Sequence, residues 1–429
     1  MFLIDFTMEV IADLHIHSKY SRATSKDLDI KNLEKYSKIK GINLLGTGDF
    51  THPKWIMELK ENLKEDDSGI LKTESGFPFV LQTEISLIYT QDGKGRKIHN
   101  VILAKKFDIA DQITEYLKSK GRVDYDGRPI FNIPCPEFVE SLKKIDESIE
   151  VIPAHIWTPW FSLFGSMSGF DKIEDCYQDQ TKHIHALETG LSSDPAMNWR
   201  LSALDRFSLI SNSDLHSYWP WRIGRECNIF EFKDLTYKNL IETLKTKKGF
   251  KETIEFHAEE GKYHYSGHRL CNVCLSPKES LRSKDICPKC SKKITVGVAE
   301  RVEMLADRPE GFIPKGAVPF KNLIPLSELI AGILKSSVSS KKVWEEYMKL
   351  IKAFNNELNI LLNVKESELK NVADEKIVSI IMKNRNQKIP FRPGFDGVYG
   401  IPLFSEDELI QKEGLITESK EIQKGLGEF

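Results

Sequence analysis

The sequence contains no apolar run long enough to span a bilayer. Its longest runs, such as Ile324 to Leu334, are broken by polar residues, so no membrane-spanning role is expected. It also lacks an excess of charge of either sign. With 61 Lys and Arg against 63 Asp and Glu, the net charge is −2; this excludes a global nucleic-acid signature and requires any basic face to be local. Cysteine is scarce, with seven in 429 residues. Four of them fall in two Cys-x-x-Cys pairs, which argues against a secreted disulfide framework and for intracellular metal binding, with the cytoplasm as the expected location. Met1 to Val10 carry Asp5 and Glu9 but no basic cluster, so no signal peptide is expected. There is no internal repeat or low-complexity tract.

What is present is a soluble globular composition, 40% hydrophobic and 29% charged, in a chain too long for one ordinary domain unless that domain is a barrel with additions. Up to about Phe232, short β-rich runs alternate with helix-like patterns such as Leu28 to Lys40 and Pro136 to Ile145. The runs include Val10-Ile11-Ala12, Leu44-Leu45-Gly46, Phe79-Val80-Leu81, Val101-Ile102-Leu103, Val151-Ile152-Pro153, Ala186-Leu187-Glu188 and Leu209-Ile210-Ser211. Such alternation predicts an α/β sheet or barrel with chemistry at the C-terminal strand ends. Three regions are expected: residues 1–256 as the barrel, 257–306 as a small cysteine-containing module, and 307–429 as a mainly helical C-terminal domain. In the last, Val343, Tyr347, Leu350, Ile351, Phe354, Leu358 and Leu361 recur at helical spacing, the pattern of a packed core.

Candidate ligands cluster at the predicted strand ends. His15 and His17 alternate on an extended segment and so project to one side. Asp49 and His52, Glu84, His99, His155, and Asp214 with His216 accompany later runs. Imidazoles mixed with carboxylates suit zinc, manganese or iron better than calcium. A bridging carboxylate between close ions suits phosphoester hydrolysis.

Cys271-x-x-Cys274 and Cys287-x-x-Cys290 predict a closed, tetrahedral, structural four-thiolate zinc site. Around it Lys262, Arg269, Lys278, Arg282, Lys284, Lys289, Lys292 and Lys293 outnumber Glu279 and Asp285, a local basic face suited to a phosphate backbone. A solvated surface is the plainer alternative. Cys135, Cys176 and Cys227 read as buried.

His15-x-His17, Glu84, Ala154-His155 and Asp214-x-His216, in that order, resemble the PHP (polymerase and histidinol phosphatase) superfamily of metal-dependent phosphoesterases. The resemblance implies a distorted (β/α)7 barrel with a multinuclear metal centre held by His15, His17, Glu84, His99, His155, Asp214 and His216, with Glu84 bridging. Phe50 stands where that superfamily usually has the histidine of Thr-Asp-His, and Tyr20-Ser21-Arg22-Ala23 lacks a further expected histidine. Asp49 or His52 is therefore a candidate substitute ligand, and a third metal is in doubt. The barrel, the cysteine module and the helical part together, with Gly48-Asp49-Phe50-Thr51-His52-Pro53, Trp157-Thr158-Pro159-Trp160, Ser213-Asp214-Leu215-His216-Ser217 and Arg392 to Gly400, resemble the endonuclease Q family over nearly the whole chain. That resemblance implies a DNA repair endonuclease cutting double-stranded DNA 5′ of uracil, hypoxanthine, xanthine and abasic sites, leaving 3′-hydroxyl and 5′-phosphate ends.

On this reading Asp214 is essential to catalysis, the metals activate water, and His99 is available to protonate the leaving oxygen. Zinc is expected in the module and in the barrel, with Mg2+ or Mn2+ as catalytic alternatives. Trp157, Trp160, Trp219 and Trp221 are candidates for stacking on an extruded base. Ser166 and Ser168 are candidates for reading a base edge or holding a phosphate, and Arg222 and Arg225 for binding phosphate; packing, an ordinary loop and surface ion pairing are the respective alternatives. Gln423, Leu426 and Phe429 resemble the peptide motif that docks on the PCNA sliding clamp, against the alternative of a frayed tail. Two other functions remain open: a small-molecule phosphatase acting on a histidinol-phosphate-like monoester, and a non-catalytic DNA-binding repair scaffold.

Overall fold

The computed structural model of the chain describes residues 7–404. Its principal sheet runs in the order Phe320–Asn322, Phe250–Glu255, Cys227–Phe232, Met8–Asp13, Leu44–Gly46, Pro78–Gln91, Lys94–Ala104, Glu150–Pro153. Met8–Asp13, Leu44–Gly46 and Pro78–Gln91 pair in parallel, as the strand–helix alternation predicts. Phe250–Glu255 and Phe320–Asn322 also pair in parallel, but Cys227–Phe232 runs antiparallel to both neighbours, and Lys94–Ala104 antiparallel to Pro78–Gln91 and Glu150–Pro153. These reversals distort the α/β barrel. A parallel two-stranded unit, Ala186–Glu188 with Ser208–Ile210, spans the remaining gap. It is stitched to one side by Ile156 N donating to Glu188 O at 3.0 Å. On the other side Leu14 N donates to Asn212 Oδ1 at 2.8 Å, and Asp214 N to His15 O at 3.0 Å. Val10, Ala12, Val80, Leu103, Ile152 and Ile210, from strands all round this ring, share one buried apolar cluster.

The module and the C-terminal region are tied back to the barrel. Phe320–Asn322 pairs with Phe250–Glu255, so the barrel's sheet crosses the boundary expected at residue 307. The five helices Leu326–Leu334, Lys341–Phe354, Glu357–Leu362, Glu366–Lys370 and Glu375–Arg385 form the expected helical part. Val343, Tyr347, Leu350, Ile351, Leu358 and Leu361 are buried in it. The Arg392 to Gly400 stretch folds onto the module: Tyr265 N donates to Gly394 O at 2.9 Å and Gly397 N to Lys262 O at 2.8 Å. Among the described residues no helix is long and apolar enough to cross a membrane. Gln423, Leu426 and Phe429 lie outside the described residues.

One buried ion pair joins the barrel to the helices. Asp29 caps the helix Ile30–Lys40 by accepting from Asn32 N at 2.8 Å, and Gly41, at φ 105°, ends it. This leaves Lys40 in the last turn, donating to Glu357 Oε1 at 2.7 Å and to Pro220 O at 2.9 Å. Glu357 also accepts from Tyr347 Oη at 2.7 Å and from Leu326 N at 3.0 Å. Both charged groups are fully enclosed. Glu357→Ala strands the Lys40 ammonium in the interior and is expected to lower unfolding stability by about 3–5 kcal/mol. Urea denaturation measures it; a loss in the range of an exposed pair, below about 1 kcal/mol, would contradict the assignment.

Candidate metal centre

Glu84 and His99 do not sit at strand ends. They lie inside the long antiparallel pair Pro78–Gln91 and Lys94–Ala104, where Glu84 faces Val101 and His99 faces Ser86. His15 and His17 follow Met8–Asp13, His155 follows Glu150–Pro153, and Asp214 and His216 follow Ser208–Ile210. The reach of the hairpin brings these groups to one point. His15 Nε2 and His17 Nε2 lie 3.5 and 3.2 Å from Glu84 Oε2. They lie 3.6 and 3.1 Å from Asp214 Oδ1. The other oxygen, Glu84 Oε1, is 2.7 Å from His99 Nδ1 and 3.1 Å from His155 Nε2. The ligand atoms thus fall into two groups, His15–His17–Glu84–Asp214 and Glu84–His99–His155, each with its atoms within 4.8 Å of one another. Glu84 belongs to both. His216 sits beside them, its ring centroid 4.9 Å from that of His17. Its Nδ1 is held by Asp214 O at 3.0 Å, which leaves Nε2 as the available donor atom.

The residues fit a cation. His15 Nε2, His17 Nε2 and Asp214 Oδ1 are buried without a hydrogen-bond partner, a state that buried polar atoms rarely tolerate unless an ion or water completes it. Their remaining atoms are fixed from behind. His15 Nδ1 meets Glu188 at 3.0 Å, and Glu188 also accepts from Asn212 Nδ2 and from His155 N, each at 2.8 Å. His155 Nδ1 faces Ser162 Oγ at 3.2 Å. Carboxylates and hydroxyls in this position set the tautomer and orientation of metal-binding imidazoles. The backbone is bent to suit: Asp49, His155 and Asp214 take positive φ of 42°, 30° and 45°, a conformation that non-glycine residues adopt at a cost. Gly190 has no side chain because a Cβ there would collide with His155.

Charges are balanced within the site. Burial pushes Glu84 up, but His99, Arg128 and His15 outweigh it and hold the carboxyl well below its usual range. Burial likewise opposes ionisation of Asp214, and His15, His17 and His216 more than reverse it. His99 is brought down to about 4 by burial, against the pull of Glu84.

Besides His216, two expected ligands fall outside both groups. Asp49 is saturated by protein donors: His17 Nδ1 at 3.0 Å on Oδ1, and Ser18 N, Ser18 Oγ and Ser21 Oγ at 2.6, 2.7 and 2.9 Å on Oδ2. It orients His17. His52 stacks on Tyr20 at 4.4 Å, at the start of the helix Pro53–Asn62. Phe50 is buried in the apolar core.

The substrate candidates divide. Trp157 is 1% exposed with Nε1 bonded to Asn198, so it packs rather than stacks on a ligand. Ser168 is buried with Oγ accepting from Phe161 N, and Ser166 Oγ donates to Val296 O across to the module; their loop is a joint, also clamped by Arg301 onto Phe164 O and Phe170 O. Arg225 is buried and donates through Nε and Nη2 to Ser213 O, bracing the Asp214 turn rather than presenting a free cation. Trp160, Trp219, Trp221 and Arg222 are half-buried and remain available, with Trp219 and Trp221 stacked at 5.2 Å.

In the module, His268, Cys271, Cys287 and Cys290 gather their ligand atoms within 4.8 Å, with His268 Nδ1 3.4 Å from Cys290 Sγ. Burial pushes the Cys287 thiol up, but the N–H groups of Cys290 and Lys289 and the His268 ring bring it down to about 6, as suits a metal-binding thiolate. Cys274, expected as the fourth thiolate, is exposed and outside the cluster, on the strand Val273–Leu275. Residues overlooked in the sequence include Glu188, which ends one of the β-rich runs and was visible as a strand-end carboxylate. They also include Arg128, for which the sequence carries no signal, and His268, three residues before Cys271. Metal analysis of the full chain checks the module: His268→Ala is expected to lose its ion, Cys274→Ser to keep it. The reverse pattern would restore the four-thiolate set.

Comparison with known proteins places these features together. Residues 325–388 match the family model described as the MJ0043 C-terminal domain. The uncharacterized protein MJ0043 of Methanocaldococcus jannaschii is 34% identical over 293 residues, 65% of this chain; the chain spans only 34% of that relative's length. The structure of the lesion-specific endonuclease PfuEndoQ from Pyrococcus furiosus is 32% identical, with a TM-score of 0.83, covering 96% of this chain and 100% of that one. A structure of endonuclease Q in complex with a 27-mer duplex substrate carrying an abasic lesion at the active site is also 32% identical, with a TM-score of 0.84, covering 94% of this chain and 98% of that one.

Proposed function

The chain belongs to the endonuclease Q family, and on that premise we propose that it is a metal-dependent DNA repair endonuclease that hydrolyses one phosphodiester of duplex DNA 5′ of a lesion. The lesions are abasic sites and the deaminated bases uracil, hypoxanthine and xanthine, and the ends left are 3′-hydroxyl and 5′-phosphate. The observation that carries the reading is Glu84, whose two oxygens face separate histidine pairs. His15, His17, Asp214 and Glu84 would hold one ion and His99, His155 and Glu84 a second, and His216, beside His17, would join the first set. Divalent ions bound there, zinc with Mg2+ or Mn2+ as alternatives, supply an activated water and offset the charge that develops on the phosphate. Glu188, Asp49 and Ser162 keep the imidazoles in the tautomers this requires. The half-buried Trp160, Trp219 and Trp221 offer flat apolar faces to an extruded nucleotide, and Arg222 a cation to the DNA backbone.

The module binds zinc through His268, Cys271, Cys287 and Cys290, and its lysines and arginines follow the DNA backbone. The two Cys-x-x-Cys pairs favour a cytoplasmic location. Docking on the PCNA clamp through Gln423, Leu426 and Phe429 belongs to the same proposal; a pull-down with and without residues 423–429 tests it, and equal capture removes it.

An end-labelled duplex with one uracil, beside an undamaged control, tests the activity. One cut immediately 5′ of the uracil is expected with Mn2+ or Mg2+. Asp214→Ala should slow it more than about 100-fold, beyond the usual cost of losing an outer-shell partner, while DNA binding is kept. No cut on uracil, hypoxanthine, xanthine or abasic duplexes by metal-loaded protein would favour the small-molecule phosphatase.

A further inference from the structure

Among the described residues Arg128 is the one guanidinium whose nitrogen touches the Glu84 carboxylate, with Nη1 3.0 Å from Oε2. Its position is built. Gly127 N donates to Tyr20 O at 3.0 Å, and Ser86 N to Pro129 O at 3.1 Å; Ile130 and Phe131 then pair with Ser86 and Leu87. A Cβ at Gly127 would collide with the Asp49 carboxylate and the Ser21 hydroxyl, so only glycine lets this segment approach closely enough to deliver the next side chain to the site.

The arrangement is more than a structural ion pair requires. Glu84 is fully buried, whereas the Arg128 side chain keeps 28% of its surface open. Among the described residues Glu84 is the only hydrogen-bond partner of its side chain, although a guanidinium carries five N–H donors. A fixed positive charge also stands against the oxygen that His15 Nε2 and His17 Nε2 approach. A phosphate held by cations at that site would meet the unused donors of Arg128.

We propose that Arg128 is a catalytic residue that donates to a non-bridging oxygen of the phosphate bound at the metal centre. Its planar fork turns from Glu84 alone to Glu84 and the phosphate together, the geometry in which arginine binds oxyanions most tightly. That the phosphate is the scissile one of DNA rests on the function proposed above; that Arg128 binds phosphate does not.

Full-length protein loaded with Mn2+ is titrated with inorganic phosphate by calorimetry, as wild type, Arg128→Lys and Arg128→Ala, with the metal content of each measured. Unchanged metal content is expected, with phosphate binding weakened at least about tenfold in Arg128→Ala and less in Arg128→Lys, the loss of a charge-assisted contact. Equal affinity in all three, no phosphate binding by the wild type, or loss of metal from Arg128→Ala would overturn the proposal; the last would leave Arg128 as a brace for Glu84. Arg128→Lys keeps the test valid if Arg128→Ala does not fold. Lesion cleavage by the wild type is read in parallel: no cleavage with Arg128-dependent phosphate binding intact would sink the nuclease reading and leave this one standing.

Discussion

The site depends on one buried carboxylate. Glu84 carries charge in the centre of the barrel, where an unpaired carboxylate could not remain ionised. It stays ionised because His15, His17, His99, His155 and Arg128 all lie within 3.5 Å of its oxygens. These partners are split between Oε1 and Oε2, as the proposed bridge between two cations requires. Nearly every other polar group nearby can be understood as serving that arrangement.

The fold supplies the reach. A strictly parallel barrel would deliver side chains to the site only from strand ends. Here the antiparallel pair Pro78–Gln91 and Lys94–Ala104 carries Glu84 and His99 into the site from mid-strand, and the ends of other strands bring the remaining ligands to meet them. Positive φ at Asp49, His155 and Asp214 is the local cost, stabilised by bonds such as Arg225 to Ser213 O and Ser18 N to Asp49. The Lys40–Glu357 pair extends the same logic outwards. By holding Pro220 O it ties the helical region to the segment that follows His216.

Much of this was legible in the sequence. His15-x-His17 and Asp214-x-His216 stand out because alternation on an extended segment is a local property, readable without knowing the fold. The Cys-x-x-Cys pairs announced a metal module for the same reason, and the stripe from Val343 to Leu361 announced a helical core. What escaped were relations set by tertiary approach. Asp49 has the chemistry of a ligand, and only the approach of Ser18, Ser21 and His17 converts it to a support. Trp157 and Ser168 have the chemistry of a binding surface but are enclosed. His268, rather than Cys274, lies within 4.8 Å of the thiols of Cys271, Cys287 and Cys290, a relation that the spacing of the cysteines does not reveal. Arg128 sits in a segment with no pattern at all, and matters only because Gly127 lets it pass Asp49.

The measurement that bears most directly on the role of Glu84 is the metal content of Glu84→Ala beside the wild type, both as full chains. If Glu84 bridges two ions, its loss should release both barrel metals together and leave the module's metal in place. Retention of either barrel ion at full occupancy would contradict the bridge, and with it the organisation of the site described above.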